Sequence, residues 1–196
     1  MKRIFLIIII TASALFGFNN EKSKQTLTNS EKKLVEELRL KYYKAVEEED
    51  SIAAYEDFVL ENYSTISELS KALAVAYKAG IDAVKSKHAF WPLAKLNYLK
   101  KSLENLEKAV LIEPKNLETR FMRFSILHYV PGFLGYSAER DVDAKIILRE
   151  LLEKNYNLVE KKIQKGIYEF IIESERLREK ESEFLISQLK EQFANE

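Results

Sequence analysis

Two apolar helices separated by a proline form the stretch that most constrains how this chain can fold. From Leu103 onward, apolar residues recur at steps of three and four, which is the spacing of an amphipathic helix. Pro114 ends that helix, because proline has no amide hydrogen and disfavours helical geometry in the residue before it. A second apolar helix is predicted over residues 117–128 and ends before Pro131-Gly132. The centre of the chain is therefore predicted to be two helices folded back over a tight turn.

The remainder of the chain also favours helices. Only five glycines and three prolines interrupt it, which argues against a β-sandwich or a barrel. Thr28 with Glu31, and Thr65 with Glu68, have the capping-box spacing and predict the starts of the first and third helices. Further helices are predicted over residues 51–63, 92–113 and 138–154, the last capped by Ser137 with Val142 facing inward. We expect a single all-α domain of stacked antiparallel helical hairpins.

The N-terminus has the composition of an export signal. Lys2 and Arg3 precede the apolar run Ile4–Ile10, and Ala12 and Ala14 supply an Ala-x-Ala cleavage site. We expect residues 1–14 to be a cleaved signal peptide, which makes the protein periplasmic or secreted. The alternative is a membrane anchor formed by residues 4–20, although its strongly apolar part is shorter than the roughly 20 residues of a spanning helix.

The mature chain divides into three parts by composition. Residues 15–30 are predicted to be a polar linker, residues 31–175 the helical domain, and residues 176–196 a charged C-terminal helix that is partly frayed. Lysine plus arginine equals aspartate plus glutamate at 31 each, so no global field favours nucleic acid. Contact with a membrane is expected only through the signal segment, if that segment is not cleaved.

Residue types that carry common chemistries are sparse. The chain has no cysteine, which excludes disulfides and thiol catalysis, and its two histidines are isolated. Residues 47–50 are all acidic but lack the alternating ligands and the glycine of a calcium loop. Glu173 and Glu175 could form a carboxylate pair acting on envelope polymers, and more often such acids lie on a solvated helix face. We predict no catalytic residue, no cofactor and no metal.

Two arginines stand out from this background. The helix over residues 117–128 is apolar in almost every direction, so it is expected to be enclosed, and Arg120 and Arg123 lie on one side of it. Buried guanidinium groups need carboxylate partners. One interpretation is an internal clamp that fastens the loop 133–136, with Arg140 and Tyr136 taking part and with partners drawn from the acidic residues Glu104, Glu113, Asp141 and Asp143. The other is a groove that receives the carboxylate of a partner.

The segment LEKAVLIEPKN, residues 106–116, resembles the end of the second helix of a tetratricopeptide repeat. The alanine five residues before the proline, the leucine three residues before that alanine and the asparagine after the proline all match. The larger block over residues 87–136 resembles a group of small exported bacterial helical proteins without an assigned activity. The tetratricopeptide resemblance implies a tetratricopeptide-like fold and a protein or peptide partner in the envelope, so we expect a binding or scaffolding module. An enzyme of envelope polymers and a purely structural accessory subunit are the alternatives.

Overall fold

The computed structural model describes residues 27–194, and all regular structure in that range is helical. Eight α-helices are joined by short turns, two of which contain 3₁₀ segments at Glu49–Ser51 and Gly132–Leu134. The helices are α1 Asn29–Glu47, α2 Ile52–Leu69, α3 Lys71–His88, α4 Pro92–Ile112, α5 Leu117–His128, α6 Ser137–Leu152, α7 Lys161–Glu173 and α8 Glu179–Phe193. The predicted signal peptide and most of the predicted linker lie outside the described residues.

The helices pack as four consecutive hairpins. Consecutive helices pair as α1/α2, α3/α4, α5/α6 and α7/α8, and the α3/α4 pair packs most extensively. α3 also packs on α1 and α5, and α2, α4 and α6 each pack on the helix that follows. The expectation of an all-α fold made of stacked helical hairpins is therefore confirmed. None of the helices in the described range combines the length and hydropathy needed to cross a membrane.

Helix α5 contributes to both hydrophobic cores of the stack. Its Met122 and Leu127 belong to a core built mainly from α1 to α4, whereas Leu117 and Phe124 belong to a core formed with α6, α7 and α8. A helix that faces two cores must be apolar around most of its circumference. This arrangement explains why residues 117–128 lack a clear polar face.

The first helix begins as its sequence predicts, but the third does not. The Thr28 hydroxyl accepts from the amide of Glu31 at 3.2 Å, and the Glu31 carboxylate accepts from the amide of Thr28 at 2.6 Å. The predicted start at Thr65 is wrong, because α2 continues through Thr65 to Leu69. Ser70 is extended, and its hydroxyl caps α3 by accepting from the amide of Leu73 at 3.1 Å.

The second half of the chain differs from expectation in smaller ways. Ser137 is the first residue of α6 and makes no capping bond, and Val142 is 48% exposed instead of facing inward. Fraying of the C-terminal helix stays a prediction, and α8 packs on the second core through Leu185 and Phe193, both of which are buried.

Candidate functional site

Helix α5 carries three charged residues into the interior of the stack. Glu118, Arg120 and Arg123 are all buried, on a helix that is otherwise largely apolar. Removing a charge from water costs several kcal/mol unless an opposite charge and hydrogen bonds replace the water. The partners of these three groups therefore define the polar centre of the molecule.

Both arginines bind the carboxylate of Asp143, which lies on α6 and is fully buried. Arg123 donates from Nε to Oδ2 at 2.6 Å and from Nη2 to Oδ1 at 2.8 Å. Arg120 donates from Nη1 to Oδ1 at 2.8 Å. This two-point contact of Arg123 is the geometry in which a guanidinium binds a carboxylate most strongly. We name Arg120, Arg123 and Asp143 the arginine cluster.

Helix α4 and the turn after it complete the arginine cluster. Arg123 donates from Nη1 to the carboxylate of Glu107, and Arg120 donates from Nε to the carbonyl of Pro114 at 2.8 Å. Burial alone would lower the pKa of Arg123, but its hydrogen bonds to Asp143 and the charges of Asp143 and Glu107 raise it above its usual value. Two cations therefore meet two anions, and the contacts connect α4, α5 and α6.

Of the four acidic partners expected from the sequence, only Asp143 is used by Arg120 and Arg123. Glu104 is exposed on α4, and Glu107, one turn further on, takes its place. Glu113 accepts from Ser70 Oγ at 3.0 Å and from Asn116 Nδ2 at 2.8 Å. It therefore connects the start of α3 with the start of α5 and does not pair with the arginines.

Arg140 and Tyr136 lie outside the arginine cluster. Arg140 Nε is 3.6 Å from Asp141 Oδ1 and makes no hydrogen bond to a described residue. Tyr136 is half-buried against the first core, directly before α6. The contacts of the cluster run between helices and do not involve the side chains of the loop 133–136.

A second buried charge cluster was not predicted from the sequence. Arg39 on α1 donates from Nε and Nη2 to the two carboxylate oxygens of Glu118, each at 2.7 Å. Tyr77 on α3 donates to Glu118 Oε1 at 2.7 Å, and Arg39 also reaches the carbonyl of Leu158 at 3.1 Å and Glu160 Oε1 at 3.3 Å. Burial, followed by the charge of Glu118, raises the pKa of Tyr77 well above its usual value. This cluster connects α1, α3, α5 and the segment before α7.

The enclosure of α5 would have been the signal for this second cluster. The argument that a charged residue on an enclosed helix needs a buried partner applies to Glu118 as much as to Arg120 and Arg123. The partner itself could not be found in the same way, since Arg39 lies 79 positions from Glu118 in the chain.

An open cleft lies beside the arginine cluster, between α4, α5 and α6. It has a volume of about 330 Å³. Its lining is half apolar and half charged, and consists of Val110, Leu111, Ala138, Val142, Glu107, Glu139, Arg120 and Arg123. We name it the α4–α6 cleft. A second cleft of about 300 Å³, between α2, α3 and α4, is lined mainly by polar and charged side chains.

The other candidate groups do not converge on either cleft. Glu173 and Glu175 are exposed near the end of α7 and line neither cleft. His88 Nε2 lies 3.0 Å from the carbonyl of Ala45. His128 lies at the end of α5, where its Nδ1 has no hydrogen-bond partner among the described residues and its ring packs edge-on against Phe170. Within residues 27–194, no group of three or more acidic or histidine side chains is arranged to hold a metal.

Comparison with known proteins adds no relative. No protein-family model, no curated protein and no solved structure matches the chain.

Proposed function

We propose that this protein is an exported helical binding module of the bacterial envelope that holds an extended protein or peptide segment in the α4–α6 cleft. The observation that carries the proposal is the cleft itself. Leu111 is 67% exposed and Val142 is 48% exposed, and they lie among the residues that line one concave surface. Exposed apolar side chains around a concave site with a few charged groups are typical of a surface that binds a ligand.

The contacts of the arginine cluster favour one kind of ligand over another. The Asp143 carboxylate occupies Nε and Nη2 of Arg123, and Glu107 occupies Nη1. Those donors are therefore not free for a carboxylate from a partner. Glu139, which is exposed at the cleft, forms no ion pair with a described residue. A segment with an apolar side chain next to lysine or arginine complements this charge distribution best.

Export and a tetratricopeptide-like stack belong to the same proposal. The sequence of residues 1–14 supports export, and the succession of four helical hairpins supports the repeat-like character. Repeat stacks use their inter-hairpin surfaces for extended ligands, because each hairpin contributes a similar strip of surface.

Selection from a displayed library of random peptides tests the proposal, with affinities of the selected peptides then measured by titration calorimetry. We expect the selected peptides to share an apolar residue beside lysine or arginine. Leu111→Lys places a cation on the apolar wall and is expected to weaken their binding by at least about tenfold, because the new charge repels the basic residue of the peptide and must be desolvated unpaired.

Leu40→Lys is the matched control, because Leu40 is also 67% exposed but lies on α1 and lines neither cleft. It should bind the peptides as the wild type does. Peptides that bind Leu111→Lys and wild type equally, or a library that yields no binders, would contradict the proposal.

A further inference from the structure

Four turns of the stack lie along one edge. Because α1, α3, α5 and α7 each begin a hairpin, they run in the same direction and end on the same side. His88 at the end of α3 contacts the carbonyls of Ala45 and Val46 near the end of α1, at 3.0 and 3.2 Å. His128 at the end of α5 packs on Phe170 near the end of α7, with ring centroids 5.5 Å apart. We name the turns at 48–51, 89–91, 129–136 and 174–178 the turn edge.

The two central turns of this edge expose large apolar side chains. Phe90 and Trp91 are 85% and 70% exposed, and their rings pack against each other edge to face. Leu93 follows in the first turn of α4, and Tyr129 and Phe133 extend from the neighbouring loop with comparable exposure. None of these five residues lines either cleft. They project from the turns instead of facing a concave surface.

Positive charge surrounds the α3/α4 turn. Between Asp82 and Glu104 the chain contains no acidic residue and five lysines: Lys85, Lys87, Lys95, Lys100 and Lys101. Three of these form ion pairs with acidic residues of the stack. Lys95 and Lys100 form no ion pair with a described residue, so their charges are not neutralised within residues 27–194.

Two arginines add charge beside the neighbouring loop. Arg140 and Arg176 lie close enough to His128 that, after burial, their charges help to lower its pKa. Arg176 is exposed and forms no ion pair with a described residue. The acidic residues 47–50 lie on the outermost turn, which has no large exposed apolar residue. Acids offset these two arginines, because Asp141 Oδ1 lies 3.6 Å from Arg140 Nε, Glu139 is exposed at the start of α6 and Glu175 is exposed beside Arg176. The excess positive charge therefore lies beside the α3/α4 turn, next to Phe90 and Trp91.

We propose that the two central turns of the turn edge dock on the surface of an anionic phospholipid bilayer. Phe90, Trp91, Leu93 and Phe133 enter the interface between headgroups and acyl chains, and Lys95 and Lys100 contact lipid phosphates. Tryptophan and tyrosine prefer this interface, and lysine and arginine keep their charge at headgroup level while their stems remain in apolar surroundings. Each basic residue near an anionic surface contributes on the order of a fivefold gain in binding.

The shape of the edge favours a bilayer over a protein partner. A protein that bound these side chains would need pockets for aromatic residues that project from two separate turns. A bilayer adapts to projecting side chains, and its affinity follows the apolar area that is buried and the charge that is matched. This docking surface is separate from the α4–α6 cleft, so the inference does not depend on the proposed function.

The chain contains its own probe of this contact, because Trp91 is its only tryptophan. The experiment titrates the full chain with vesicles of phosphatidylethanolamine and phosphatidylglycerol and records the tryptophan emission. We expect a shift to shorter wavelength, and quenching when the lipids carry bromine on their acyl chains. Vesicles of phosphatidylcholine alone should give a much weaker response. An apolar N-terminal segment that held the chain on vesicles would not by itself change the surroundings of Trp91.

Matched variants separate this edge from the rest of the surface. Leu93→Ala should weaken the response to anionic vesicles by between about tenfold and about sixtyfold, since it removes three carbons and burying each methylene group contributes about 0.8 kcal/mol. Leu152→Ala is its control, because Leu152 is also an exposed leucine but lies at the end of α6, on the opposite edge, and lines neither cleft. Lys100→Glu should weaken the response at least about fivefold, and Lys115→Glu on the opposite edge should not.

Three results would overturn the inference. The first is an emission of Trp91 that does not respond to anionic vesicles. The second is an equal loss of response in the edge variants and in their controls. The third is a shift that grows with protein concentration in the absence of lipid, which would show that a second copy of the chain covers this edge.

Discussion

Gly80 shows how a single residue can determine the distance between helices. It lies inside α3, where glycine is about 1 kcal/mol less favourable than alanine. A methyl group at this position would lie 2.7 Å from Tyr55 Oη and 3.1 Å from both Met122 Cε and Tyr42 Cε2. The close contact of α3 with α1, α2 and α5 therefore requires a residue without a side chain.

Gly80→Ala is expected to lower the free energy of unfolding by about 1–3 kcal/mol, despite its better helix propensity. The Tyr55 side chain is fully buried and its hydroxyl donates to the carbonyl of Tyr77, so it cannot move away without losing that bond. Urea denaturation followed by circular dichroism measures the change.

Gly166→Ala is the matched control, because Gly166 lies inside α7 with no atom within 4 Å of the added methyl group. That variant should be more stable by up to about 1 kcal/mol. A stabilised Gly80→Ala variant would show that the helices around α3 are less tightly packed than described.

Gly80 also shows which part of a helix contact can be predicted from the local sequence. The spacing of Gly80 with small neighbours indicates a close helix contact, and the contact is present. The sequence does not name Tyr55, Met122 and Tyr42 as the contacting residues, because they come from three other helices. The residue types and their helical spacing therefore show that this face of α3 packs closely against another helix. Which residues it contacts depends on how the helices are arranged in the stack.

At the scale of the helices, the α2–α3 boundary is where local sequence misleads. Thr65 and Glu68 have the spacing of a capping box, but both lie within α2. The boundary lies at Ser70, whose hydroxyl accepts from Leu73 and donates to Glu113 Oε1 at 3.0 Å. Since Glu113 lies 43 positions away, the interaction that fixes this helix start is invisible in the neighbouring sequence.

Ser70→Ala is expected to reduce the free energy of unfolding by about 1–2 kcal/mol, because it removes a helix cap and a hydrogen bond to a carboxylate. Thr65→Ala is the control for the boundary predicted from sequence. Because Thr65 is exposed inside α2 and alanine has the higher helix propensity, that variant should be as stable as wild type or slightly more stable. Chemical denaturation of both variants measures the difference, and a larger loss for Thr65→Ala would contradict the described boundary.

For helix α5 and the candidate site, too, one part could be predicted from the local sequence and another part could not. The bounds of α5 at Leu117 and His128 were predicted correctly, because Pro114, Asn116 and Pro131 mark both ends locally. The need of Arg120 and Arg123 for buried acidic partners also followed from the enclosed helix. The choice of Asp143 and Glu107, and the exclusion of Arg140, depend on how α4 and α6 are rotated against α5, which the local pattern does not encode.

At the scale of the whole molecule, α5 joins two cores that would otherwise be separate. The arginine cluster connects it to α4 and α6, and the pair formed by Arg39 and Glu118 connects it to α1 and to the segment before α7. Buried charges that are matched in this way hold the hairpins in one relative arrangement. The α4–α6 cleft has a fixed shape only if that arrangement holds.

The central claim is that Arg123 is satisfied inside the molecule and is not a free binding group. The most direct test is the free energy of unfolding of Arg123→Ala, measured in urea beside wild type. Arg178→Ala is the control, because Arg178 is exposed and its one ion pair within residues 27–194 is with nearby Glu181, so this change should leave stability nearly unaltered. We expect Arg123→Ala to lose about 3–5 kcal/mol, because Asp143 is then left buried with one of its two cations removed. A loss within about 1 kcal/mol, as for a solvent-facing charge, would contradict the account.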